Sequence, residues 1–385
     1  MISLVSVALY GLLATRSEVD SGARVLSQYY RPQLFEASVE FWGMWIALFS
    51  LYAAAVRIAV GRHERSYFVI IFVGSILFRA AMLFGNGFDT SAPSVFLFGP
   101  SPLSSTVAGL ELEIGAERLL AIVADVGALA LAPSLLKAAK LPIGGAIIHG
   151  WNPLVVKEVA GSGRVEVVAF LLLLVSFRMI QNGSRWGAAA LSGAALSGPV
   201  IVMGSLPLLI KAVRARLLVG LALALIAWSL AFPETTWIVR AGWPPDNDLG
   251  GGLTPALTAL AGLFATRNAL IPLALALALW TLFVLVRAIR WSSDTSLPRE
   301  ALLALGSLVL IAPQVLPWAF IPIAYLAAHS TNRGWLAFTA TAPMIYVAFE
   351  AGNWSFWLGF AQYFVPYALL IFYWLGRPPP RAAGA

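Results

Sequence analysis

Long apolar runs, interrupted by short basic or Pro- and Gly-containing stretches, follow one another along the whole chain. Runs of this kind predict helices. A lipid-exposed backbone has to satisfy its own hydrogen bonds, and the Leu, Ala, Val and Gly content lacks the alternation of an outer-membrane barrel strand. Phe41–Val56 and Tyr67–Phe84 read as a helix pair, and Arg118–Lys137 as a further long helix. Ile2–Ala14 is apolar but short and has neither a basic leader nor a small-residue cleavage site, so a short first helix kept in the mature chain is expected. From His149 to Phe177 the pattern predicts a short apolar helix, a Trp151-Asn152-Pro153 turn, a polar crossover with Gly161 and Gly163, and a second helix through Val167–Val175. Two later pairs, Trp186–Leu196 with Val200–Ile210 and Ala301–Ile311 with Trp318–Ala328, are broken by Gly198-Pro199 and by Pro313 and Pro317. Proline removes a backbone donor, so such breaks at membrane depth need protein or a water-filled cavity around them. The expected fold is all-α and polytopic, with about 13–14 membrane segments.

Basic residues between the runs set the expected orientation. Arg57, Arg62, His63 and Arg65 make the loop after Val56 cytoplasmic. Lys137/Lys140, Arg178/Arg185, Lys211/Arg214/Arg216, Arg287/Arg290, Arg333 and Arg377/Arg381 then fall on the same side with an even number of crossings between them. Gly85–Glu117, Pro153–Arg164, Pro233–Asn268, Gln314–Trp318 and Glu350–Trp354 are left outside, where acidic and aromatic residues gather. One membrane domain, residues 1–376, fills the chain before a cytoplasmic Pro/Arg tail at 377–385.

Composition sharpens this picture. Of 385 residues, 60% are apolar and 11% charged, so water is not the solvent for most of the chain. The absence of cysteine excludes disulfides, thiolate nucleophiles and Cys-ligated metals. A net charge of +7 is accounted for by the basic loops, which meet lipid headgroups, and does not point to nucleic acid. No metal is expected: His63, His149 and His329 are scattered, and Asp246-Asn247-Asp248 lacks further spaced ligands. Asn182-Gly183-Ser184 matches a glycosylation sequon but lies on the cytoplasmic side. Most of the 14 Trp residues read as interfacial anchors. Asp125, inside a membrane helix, reads either as a functional acid or as a hydrogen-bonded structural one.

Several segments resemble the polyprenyl-phosphate-sugar-dependent membrane glycosyltransferases of the glycosyltransferase-C superfamily, in particular their mannosyltransferase-like branch. The resemblance rests on Trp151-Asn152-Pro153-Leu154 with Lys157-Glu158 and Gly161-Ser162-Gly163, and on Ala124-Asp125-Val126-Gly127-Ala128. It continues in Phe78-Arg79, Leu249-Gly250-Gly251-Gly252-Leu253, Pro313-Gln314-Val315-Leu316-Pro317-Trp318, Arg333-Gly334-Trp335-Leu336 and Thr339–Tyr346, covering roughly Phe41 to Trp374. It implies a protein of the bacterial cytoplasmic (inner) membrane that moves a sugar from a polyprenyl-phosphate donor to an acceptor at the outer face, with no further cofactor. A carboxylate on the first outer loop acts as general base toward the acceptor hydroxyl, and cations hold the donor phosphate.

Carried onto this chain, the base falls on Asp89, and the substrate and phosphate-binding positions on Arg79, Asn152, Lys157, Arg164, Glu166 and Trp318. Arg164 stands where the family usually has His, Glu166 where it has Asp, Leu316 where it has His and Ala319 where it has an aromatic; the Lys of the middle hairpin has no counterpart near Met203-Gly204. These departures, and a first outer loop reduced to Gly85–Glu117, imply the alternative of a catalytically degenerate member that binds membrane lipid, including polyprenyl phosphate, or serves as a subunit of a membrane protein complex.

Overall fold

A computed structural model describes residues 1–15, 33–83, 114–164, 166–196, 202, 204–220, 222, 270–311, 317–330, 332–344 and 355–375, and every regular element among them is helical. In chain order the helices are α1 (Ile2–Thr15), α2 (Gln33–Ala59), α3 (Arg65–Leu83), α4 (Ile114–Ala138), α5 (Ile147–Gly150), α6 (Pro153–Val156), α7 (Glu166–Gln181), α8 (Arg185–Leu196), α9 (Leu206–Val213), α10 (Leu270–Arg290), α11 (Leu297–Ile311), α12 (Ile321–Leu326), α13 (Gly334–Thr341) and α14 (Ser355–Leu375). Asp89, Asp246–Asp248 and the 377–385 tail lie outside the described residues.

Three segments are long and apolar enough to cross a membrane: Trp42–Ala59 in α2, Arg65–Leu83 in α3 and Arg118–Ala138 in α4. Their outward faces carry exposed Ile46, Val69, Ile70, Val73 and Val123, apolar side chains that suit lipid rather than water. The short first helix expected over Ile2–Ala14 is α1, packed on α2 and α3.

Between α3 and α4 on one side and α2, α12 and α13 on the other runs a broken segment built of a 3₁₀ turn (Ile143–Ala146), α5, α6 and a π-helical turn (Lys157–Gly161). Every residue from 144 to 163 is buried. The stretch Pro153–Arg164, expected as an external segment, is buried within the protein except for partly exposed Arg164. Its irregular backbone survives there because neighbours supply the missing hydrogen bonds. Tyr52 of α2 donates to Ile148 O (2.7 Å), Arg79 of α3 donates to Gly150 O (3.0 Å), and Gly144 N donates to Arg62 O (2.9 Å).

Local chemistry explains where the segment turns. Asn152 caps α6, its side-chain oxygen accepting from Leu154 N at 3.0 Å, with Pro153 at the first helical position where no donor is missed. Gly163 has φ +64°, a left-handed conformation that releases the chain from the π turn, and its backbone lies against Arg118. The helix α7 ends in a Schellman arrangement, Ser184 N to Met179 O and Gly183 N to Ile180 O, with Gly183 at φ +82°.

Candidate functional site

The polar interior is centred on Asp125, fully buried within α4. Arg79 of α3 grips one of its oxygens, with Nε donating to Oδ2 at 2.5 Å and Nη2 on the same oxygen. Nη1 of the same guanidinium donates to Ser75 Oγ, to Ser75 O (3.0 Å) and to Gly150 O (3.0 Å). His149 of α5 approaches the second carboxylate oxygen, Nε2 to Oδ1 at 2.7 Å. Because an ionised carboxylate only accepts, Nε2 carries the proton in this pair. The network therefore ties α3 and α4 to the broken segment through one carboxylate. Arg79, expected among the phosphate-binding residues, is placed here, its guanidinium committed to Asp125, Ser75 and Gly150 O.

Tyr325 of α12 stacks edge-on to His149 with ring centroids 5.1 Å apart and lies 6.4 Å from His329. His329, beyond the end of α12 and outside the three spans, is buried, which pushes its pKa down to about 4 and leaves the ring neutral.

Asn152 is fully buried beside Trp151. Besides capping α6, it donates to Thr339 Oγ1 of α13 (3.0 Å) and reaches Tyr52 Oη at 3.4 Å. One amide thus holds α2, α6 and α13 together. Its placement predicts that Asn152→Ala lowers stability by about 1–3 kcal/mol, since it removes a cap and the amide donor to Thr339 Oγ1, leaving the Thr339 and Tyr52 hydroxyls with only their bonds to Leu336 O and Ile148 O. The thermal midpoint of the detergent-purified variant checks this, and an unchanged midpoint would overturn it.

At the α7 end of the broken segment, Lys157 and Arg164 converge on Glu158. Lys157 Nζ donates to Oε1 at 3.3 Å, and Arg164 Nε lies 3.9 Å from Oε2. The π turn sets this up: the backbone bond runs from Ser162 N to Lys157 O (3.1 Å), a widened turn that presents Lys157 and Glu158 to the returning Arg164. Arg118, at the neighbouring end of α4, is 6% exposed, and its Nε has no hydrogen-bond partner among the described residues. A Cβ on Gly163 would come within 3.0 Å of Arg118 Cγ, so glycine is what lets the two elements meet. Lys157, Arg164 and Glu158 form a cluster of two cations and one carboxylate, one positive charge in excess, and Arg118 lies beside it against Gly163.

Glu166 and Trp318, two more of the expected binding residues, line one cleft with Phe170 and Ile321. Its volume is only about 10 Å³, room for about one water and far too small for a sugar ring. Asp89, the expected base, falls outside the described residues. The structure thus brings Lys157 and Arg164 together, joins Glu166 to Trp318, and separates Arg79 and Asn152 into a structural network. Sequence reasoning missed Glu158 as the shared partner and Arg118 as the neighbouring cation. The signal for Arg118 was its position opposite Gly163 at the mouth of the same crossing, which no linear spacing reveals.

Compared with known proteins, the chain matches no protein-family profile and no curated sequence.

Proposed function

We propose that the protein is a multi-pass protein of the bacterial cytoplasmic membrane, built on a glycosyltransferase-C-type frame of about 13–14 crossings. In this reading it transfers a sugar from a polyprenyl-phosphate donor to an acceptor at the outer face. The observation that supports this is the convergence of Lys157 and Arg164 on Glu158 at the end of a broken, buried segment, with Arg118 packed beside them against Gly163. On the outer side the positive-inside rule gives no reason for such cations, whereas guanidinium and ammonium groups suit the oxygens of a departing phosphate. Glu158 keeps the cations ordered in the absence of donor, and Asp89 supplies the base.

Binding of farnesyl phosphate to the purified protein tests the phosphate site. Arg164→Ala, at a partly exposed position, is expected to weaken that binding roughly tenfold, the worth of one charge-assisted hydrogen bond. Lys157→Ala should act in the same direction, and binding that survives both substitutions overturns the assignment. For transfer itself, Asp89→Asn should abolish turnover and leave farnesyl phosphate binding intact.

The second reading, a degenerate member that binds lipid or serves as a subunit of a membrane complex, is favoured by the commitment of Arg79 to Asp125. It predicts farnesyl phosphate binding without sugar transfer, and a stoichiometric partner on native purification.

A further inference from the structure

A second basic site lies at the other end of α7. This helix has 16 residues, so its ends are about 24 Å apart, and Glu166 and Arg185 belong to different faces of the protein. At the Arg185 end, the start of α8, the end of α9 and the turn after α10 line an open cavity of about 230 Å³. Arg185, Lys211, Arg214 and Arg216 line it, with Asp294 as its single carboxylate and Trp291 as part of its wall.

The cations are held in distinct ways. Lys211 donates to the carbonyls that end α10, Ala288 O (2.7 Å), Ile289 O (2.9 Å) and Trp291 O, and lies over the Trp291 ring at 5.6 Å. This is the position where a cation offsets the negative end of a helix. Arg185 Nη2 donates to Asp294 Oδ2 at 2.7 Å, while its Nη1 is buried without a hydrogen-bond partner among the described residues. Arg216 lies over the ring of Trp186 at 5.4 Å, and Trp186 itself is 62% exposed. Arg214 has φ +58°, a conformation suited to glycine, and the turn it makes at the end of α9 brings it and Arg216 to the same cavity. Four cations against one carboxylate leave three positive charges in excess.

We propose that this cavity binds a phosphate group of net negative charge, carried by an anionic phospholipid headgroup or by a soluble phosphate. The unpartnered Arg185 nitrogen, Arg214 and Arg216 supply the donors. The exposed Trp186 sets the site at the level of lipid headgroups, where tryptophan anchors. Convergence on one cavity distinguishes the site from the general basic character of the loops on that side.

The test titrates the full-length purified protein in neutral detergent with dioctanoyl phosphatidylglycerol, dioctanoyl phosphatidylcholine and inorganic phosphate. Binding is read by native mass spectrometry and by thermal shift. Saturable binding of phosphatidylglycerol over phosphatidylcholine assigns the lipid source; saturable binding of inorganic phosphate that competes with the lipid assigns the soluble one. In either case Arg214→Gln/Arg216→Gln should weaken binding by at least roughly tenfold. Arg57→Gln/Lys137→Gln, which removes the same charge from helix ends that do not line the cavity, should leave it within about twofold. Arg214→Gly guards against misfolding: it relieves the left-handed position, so the thermal midpoint should rise while binding falls. Equal binding of the two lipids without phosphate binding, or equal loss in both double variants, overturns the proposal.

Discussion

Asp125→Ala should destabilise the purified protein by about 3–5 kcal/mol, because it leaves a buried guanidinium without its counter-charge. Arg79 has no route to water: it is fully buried, and its remaining bonds go to Ser75 and to Gly150 O. His149 loses the acceptor of its Nε2 proton at the same time. The penalty comes from stranding charge rather than from losing attraction, which separates this case from an ordinary cavity mutation. Arg79→Met alone should cost a similar amount, since Asp125 then stays buried with only His149 beside it. Arg79→Met combined with Asp125→Leu should lose less than either single change, since no orphan charge remains; the residual deficit belongs to His149 and Gly150 O. Thermal unfolding of the three variants in detergent decides the matter. A wild-type midpoint for Asp125→Ala, or additive losses in the double variant, would contradict a buried ion pair at this position.

Asp125 also shows how much was legible before the fold was seen. Its place in an apolar helix marked it as an acid that needs a partner, and hydrophobic periodicity located the helices around it. Neither identifies Arg79, 46 positions earlier, or the amide of Asn152 bonding a hydroxyl 187 positions later. Such pairings depend on which helix faces meet, and a linear pattern carries no distance between them. The same gap explains Pro153–Arg164. Its Lys, Glu, Ser and Gly content reads as an aqueous segment, because hydropathy treats each residue as facing solvent alone. In the fold, Lys157 and Glu158 neutralise one another and the backbone is satisfied by its own π turn, so the stretch tolerates burial. The basic cavity beneath Arg185 was hidden for the opposite reason. Each of its cations has a sufficient explanation as a loop charge on the cytoplasmic side, and only the fold reveals that four of them share one space.

Gly144→Ala is the second substitution with a large expected effect, and it tests how the broken segment is anchored. Gly144 sits in the 3₁₀ turn that begins the segment and donates its N–H to Arg62 O at 2.9 Å. A Cβ there would lie 1.8 Å from Ala59 O, 2.9 Å from Ala59 C and 3.1 Å from Arg62 O. All three are backbone atoms at the end of α2 and in the turn that follows, so no rotamer change makes room. The turn has to move off α2, and it takes with it the hydrogen bonds that Tyr52 and Arg79 make to the carbonyls of Ile148 and Gly150. The loss should reach or exceed the upper end of the about 1–3 kcal/mol usual for overpacking. Gly145→Ala is the internal control: the nearest atom to its added methyl is Leu136 Cδ1 at 3.6 Å, ordinary van der Waals contact, so folding should be nearly unaffected. Monodisperse yield after size exclusion and the thermal midpoint, measured on both variants, compare the two neighbours directly. If Gly144→Ala matched Gly145→Ala, the broken segment would not be docked on α2 through this turn; a loss confined to Gly144 would place the anchor of the whole segment on the backbone of Ala59 and Arg62.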